Sequence, residues 1–191
     1  MQNFSYHTHT YRCKHAEKGL TDEEIVKEFI KKGFKTVAFT DHCPEKEIID
    51  TRDDMRMDYS QKDEYLESIK TLKEKYKDEI KIETGYEVEY LPGQEENLIE
   101  LKNEVDKIIL GQHFIYDKDN KNLKIFRHAD FTDEDLIKYA EYVETAIQKG
   151  IPDIIGHPDI YMLARDNFGE NESKVANIIC NVKLLKNIIF L

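Results

Sequence analysis

Three histidines fall within nine residues near the start of the chain: His7, His9 and His15, in "HTHTYRCKH". The 191 residues hold only seven histidines. Imidazole binds metals and moves protons near neutral pH. Four further groups offer related chemistry: Asp41 and His42 in "AFTDH", Glu87 and Glu89 in "GYEVEY", His113 in "GQHF", and His157 with Asp159 in "GHPD". In an extended segment His7 and His9 point to the same side, so both can reach one ion. Imidazole nitrogen and carboxylate oxygen together suit Zn, Mn or Fe rather than Ca. A carboxylate can bridge two ions, which a single imidazole cannot do. Glu87 and Glu89 share a strand face, and either can be that ligand. Cys13 and Cys43 flank the histidines and read as small buried neighbours rather than soft ligands. His128 has no comparable context and reads as a surface residue.

The elements that must position these groups alternate along the chain. "NFSYH" reads as a first strand. Thr21 with Glu24 forms a capping box, followed by an apolar face of Ile25, Val26, Phe29 and Ile30 and a stop at Gly33. "TVAFT" is a compact β-branched run. Tyr65, Leu66, Ile69, Leu72 and Tyr76 mark a helix before the strand "IKIETG"; 97–103 is a shorter helix before "KIILGQH". Thr132 opens a helix with Leu136, Tyr139, Ala140 and Val143 inward, before "PDIIGH". A helix over 174–186 precedes "NIIFL". This order predicts parallel strands joined by right-handed crossovers. Neither glycine-rich phosphate loop is present, which favours a barrel over a doubly wound nucleotide fold. Ligand-type side chains then end five strands, on the face where such barrels place their chemistry. One strand-end histidine is usually a solvated or capped residue; five such ends are better explained by a metal site.

The length fits a single domain over 1–191. A formal net charge of −11 argues against nucleic-acid binding through a basic surface. It also means that an anionic substrate needs local help from metal ions or arginines. No run of eighteen apolar residues suggests a membrane span, and the first residues lack the pattern of a secretory signal. Three widely spaced cysteines argue against a disulfide framework, and cytoplasmic localisation is expected.

In order and spacing, "HTHTYRCKH", "AFTDH", "GYEVEY", "GQHF" and "GHPD" closely resemble the PHP (polymerase and histidinol phosphatase) superfamily, and within it the histidinol-phosphate phosphatases. The resemblance covers the chain from Asn3 onward. It implies an α/β fold, a distorted (β/α)7 TIM-like barrel carrying up to three divalent transition metals. The ligands it implies are His7, His9, His15, His42, Glu87, His113 and His157. The implied activity is metal-dependent hydrolysis of a phosphate monoester, histidinol phosphate in histidine biosynthesis. On that reading Asp41 and Asp159 are candidates to orient a ligand imidazole or accept a proton. Arg165, with Arg12 and Arg127 behind it, is the candidate phosphate fork, and Tyr116 a candidate pocket residue. The partner is a small phosphorylated substrate, with neither nucleic acid nor membrane. Another phosphate ester, or a module of little activity, are the alternatives. A metal-dependent amidohydrolase fits less well, because no lysine stands at a strand end.

One departure matters. The family pattern has a later Asp-x-His, and no histidine follows His157 here. A complete barrel of this type takes about 250 residues. The expectation is a chain truncated at its C-terminus, with an incomplete barrel, two ion positions short of a ligand, weak activity and an open last strand that invites a homodimer.

Overall fold

The structure, a computed structural model, describes residues 2–44, 55–117, 119, 123–125, 131–165, 167–186 and 188–190. Arg127 and His128 lie outside the described residues. Contacts divide the chain into two units, Met1–Glu87 with Glu104–Ile108, and Val88–Asn103 with Ile109–Leu191.

In the first unit, strands β1 (Phe4–Thr8), β2 (Thr36–His42) and β3 (Lys81–Val88) lie parallel in that order. Helix α1 (Asp22–Lys31) starts at the expected capping box of Thr21 and Glu24. Gly33, at φ 80°, takes the left-handed turn that ends it. Helix α2 (Lys62–Lys75) buries Tyr65, Ile69 and Leu72. The Tyr65 hydroxyl lies 3.0 Å from the Phe39 carbonyl and 2.8 Å from the Gly85 carbonyl, so its one proton ties α2 to both β2 and β3. Val26, Val37, Phe39 and Ile69 are fully buried, each contributing about 1.5–3 kcal/mol. β2 is buried from Val37 to His42, as a parallel strand covered on both faces must be. Gly85 is required by close approach: a Cβ there would lie 2.6 Å from the Lys107 carbonyl oxygen and 2.8 Å from the Thr40 methyl.

Helix α3 (Glu95–Glu104) precedes β4 (Lys107–Leu110), whose Ile109 and Leu110, in the second unit, pair in parallel with Ile154 and Ile155 of β7 (Ile154–Ile155). β7 pairs in parallel with β8 (Ile189–Phe190). Helix α4 (Asp133–Gln148) starts at a capping box of Thr132 and Asp135 and buries Leu136, Tyr139, Ala140 and Val143, the face read from sequence. Helix α5 (Glu170–Lys186) buries Val175 and Ile179. The strand expected over 107–113 stops at Leu110. An antiparallel hairpin of β5 (Phe114–Tyr116) and β6 (Leu123–Ile125), which the sequence reading did not find, follows it. The break falls at Gln112, whose side chain bonds to backbone in place of a ladder: it accepts from the Tyr90 N–H at 2.9 Å and donates to the Tyr90 carbonyl at 3.0 Å. Among the described residues no helix is long and apolar enough to cross a membrane.

Candidate functional site

The first unit gathers five of the expected ligands. Parallel register sets His42 of β2 opposite Glu87 of β3. The β1–β2 ladder is irregular between Ser5 and Thr8, and such a bulge re-aims the side chains beside it. Glu87 Oε2 lies 3.0 Å from His7 Nε2, 3.3 Å from His9 Nε2 and 3.5 Å from His42 Nε2. The Nε2 atoms of His7 and His9 are 3.0 Å apart. The His15 ring stands 5.1 Å from that of His9 and 5.2 Å from that of His42. Its Nδ1 is 3.2 Å from the Met55 carbonyl oxygen. A carbonyl only accepts, so His15 Nδ1 carries the proton and Nε2 presents the lone pair. Burial, and then the nearby His9, lower the His15 pKa, which also favours neutral imidazole.

This donor set fits a divalent metal. Ligand atoms 2.0–2.1 Å from a tetrahedral ion sit about 3.3 Å from one another, the spacing seen around Glu87. His9 Nδ1 is buried without a hydrogen-bond partner among the described residues. Hydrogen bonds alone satisfy such a cluster poorly, because each neutral ring offers one N–H and the carboxylate offers none.

Asp41 is fully buried behind the cluster. Burial raises its pKa, against two bonds from Thr10: the N–H at 2.5 Å and the hydroxyl, which donates to the other oxygen. His9 Nδ1 is 3.9 Å from Asp41, beyond a hydrogen bond. Asp41 therefore shapes the loop that carries His9. The Cys13 sulfur accepts the His42 N–H at 3.1 Å and is buried, as the sequence suggested; burial and the Asp41 charge push its thiol pKa up. Arg12 is turned inward onto Glu64 and Asp22. Arg56, which sequence reasoning missed, donates to the Cys43 carbonyl at 3.3 Å, one residue beyond His42.

The second unit gathers His113 and His157, with ring centroids 4.9 Å apart. Glu89 Oε1 lies 2.8 Å from His113 Nδ1; a carboxylate accepts, so Nδ1 is the donor and Nε2 presents its lone pair. Glu87 and Glu89, which share a strand face and of which the resemblance implied Glu87 alone as a ligand, thus differ: one meets Nε2 atoms and the other an Nδ1. Gln112 holds the backbone at Tyr90, next to Glu89; nothing in its spacing marked it. His157 has φ 32°, the positive value among described non-glycine residues. Such a backbone is strained and found where function over-determines geometry.

Three expectations in this unit meet a different environment. Arg165, expected as the phosphate fork, joins α5 to α4 instead: it donates to Glu172 at 2.5 Å and to Asp133, and both bonds raise its pKa. Asp159 is exposed, and its carbonyl accepts the Met162 N–H at 2.8 Å to open a 3₁₀ turn over Ile160–Ala164. Tyr116 lies half-buried in the hairpin, in register with Leu123.

A model of the PHP domain family matches residues 5–185. A probable histidinol-phosphatase of Schizosaccharomyces pombe is 27% identical over 94% of this chain and 64% of its own length. This chain spans less than two thirds of the curated relatives it matches: 64%, 45% and 59%. A crystal structure from Listeria monocytogenes superposes with TM-score 0.74 at 24% identity, covering 96% of this chain and 78% of that one. The histidinol phosphate phosphatase of Lactococcus lactis, solved with zinc, L-histidinol and phosphate, superposes with TM-score 0.72 at 19% identity, covering 99% and 72%. These likenesses show the fold: α/β, of the TIM-like class expected from the sequence.

Proposed function

Since the chain belongs to the PHP domain family, we propose that it is a divalent-metal-dependent phosphatase whose substrate is histidinol phosphate. The observation that carries the proposal is the convergence of His7, His9 and His42 Nε2 on one Glu87 oxygen, within 3.0–3.5 Å. The relatives' names and the zinc, histidinol and phosphate of the Lactococcus lactis protein support the substrate.

In this reading His7, His9, His15, His42 and Glu87 hold metal in the first unit, and His113 and His157 are ligands in the second. His9 belongs to three ligand-type groups, with His7 and Glu87, with His15 and His42, and with Cys13 and Asp41; the first two support more than one ion. Nitrogen and carboxylate donors suit Zn, Mn or Fe. When bound, such ions acidify water and neutralise phosphate oxygens. The chain's own residues prepare that chemistry. Met55 fixes the His15 tautomer, Glu89 fixes that of His113, and Asp41 holds the loop beside His9. Arg56 is the guanidinium that we assign to the phosphate, from its bond at the residue after His42.

The test is phosphate release by the purified chain from histidinol phosphate, in excess Zn, Mn or Fe(II), beside a panel of other phosphate monoesters. Saturable release, lost in Glu87→Gln, is expected. Release no faster than the metal blank for every ester would overturn the proposal; faster turnover of another ester would replace the substrate.

A further inference from the structure

We propose that Arg12 is a positioning residue for the metal ligands of the first unit, locking the loop between His9 and His15 so that His9 is presented to the histidines and Glu87 with which it is grouped. The inference rests on reading that cluster as a metal site. Arg12 is only 2% exposed, yet every guanidinium nitrogen is engaged. Nε and one terminal nitrogen grip the two Glu64 oxygens at 2.7 Å each; the other donates to Asp22 at 2.9 Å and to the Thr10 hydroxyl at 3.1 Å. Glu64 lies in the first turn of α2, and Asp22 opens α1. One side chain therefore ties the loop to the starts of two helices.

The link continues inward. The Thr10 hydroxyl accepts from Arg12 and donates to Asp41, the residue before His42 on β2. Accepting a charged donor strengthens a hydroxyl as a donor in turn. The Thr10 N–H bonds to the same carboxylate, so the backbone just after His9 is held at both ends. His9 has the most to lose: each of the three groups it joins keeps its atoms within 4.8 Å, and sites of this kind fail when ligands drift by about half an ångström. Lysine cannot replace the arginine, because a fork onto Glu64 with a third nitrogen turned to Asp22 and Thr10 needs a planar guanidinium.

The experiment measures zinc affinity of the full chain by competition with a chromogenic chelator, and the visible spectrum of the cobalt-loaded protein as a report of ligand geometry. Parent, Thr10→Val, Arg12→Gln, Arg12→Lys and the Thr10→Val/Arg12→Gln pair are compared. Each single variant is expected to weaken binding about tenfold to a hundredfold and to alter the spectrum. Arg12→Lys should give no rescue, and the pair should bind no more weakly than its worse member. Thr10→Val leaves the Arg12 pairs with Glu64 and Asp22 in place, so it decides the matter alone if Arg12→Gln does not fold. Affinity within about threefold of the parent in Thr10→Val, with an unchanged spectrum, overturns the inference and leaves the metal site standing. Additive losses in the pair also overturn it, and a parent that takes up no metal overturns both.

Discussion

The two ligand clusters use carboxylates in opposite ways. Around Glu87 the oxygen faces the Nε2 atoms of three histidines. In the second unit Glu89 faces His113 Nδ1, the side of the ring away from Nε2. Side by side, they teach that the nitrogen a carboxylate meets, rather than its strand face, decides whether it is placed to share an ion with the ring or to orient it. The clusters also differ in support. The first is set by strand register and braced by the buried groups of Asp41 and Thr10. The second depends on a turn at His157 with a strained backbone.

The sharpest way to break this contrast is to neutralise each carboxylate. Glu87→Gln removes a ligand charge, and turnover in excess metal should fall by about three orders of magnitude, the equivalent of several kcal/mol. Glu89→Gln should weaken zinc binding only about tenfold to a hundredfold, as loss of an outer partner does. Rates and chelator competition for both variants check this, and equal losses would erase the distinction. A smaller effect concerns the turn. His157→Gly relieves the positive φ and should leave the metal-free chain about 1 kcal/mol more stable than His157→Ala in urea unfolding. Equal stabilities would mean that the turn carries no strain.

The residues of the first cluster were largely legible in sequence, because register and pleat act locally: His7-x-His9 needed only period two, and "AFTDH" and "GYEVEY" only a strand to end on. The capping box at Thr21 and the helix start at Thr132 were legible for the same reason. Strand face could not tell Glu87 from Glu89, and the resemblance alone chose Glu87, because the difference lies in what each meets 24 or 80 residues away. Arg165 meets Glu172 and Asp133, and Arg56, which we assign to the phosphate, was not read from the sequence, for one reason: a guanidinium's partner is set by tertiary contact, and its neighbours in the chain do not reveal it. The hairpin of β5 and β6 escaped because Gln112 breaks the strand through a side-chain bond to Tyr90, which no periodicity records.

The smallest prediction uses acid and lies outside both clusters. Burial of Asp135 works against its charge, but bonds from Lys124 and from the Thr132 N–H and hydroxyl outweigh it and hold the pKa below the ordinary value. A carboxyl depressed in the fold stabilises above its unfolded pKa, and that contribution is lost as pH falls through the folded value. Urea midpoints of the parent should therefore fall more steeply below about pH 4 than those of Asp135→Asn. Parallel curves would show that the Asp135 cap adds no acid sensitivity.

That His7, His9 and Glu87 hold a divalent ion is tested most directly by anomalous diffraction at the zinc edge, from crystals of the zinc-loaded chain. A peak is expected in bonding contact with Glu87 Oε2 and with Nε2 of His7 and His9. Zinc elsewhere in the chain, with no peak among those three side chains, would contradict the assignment.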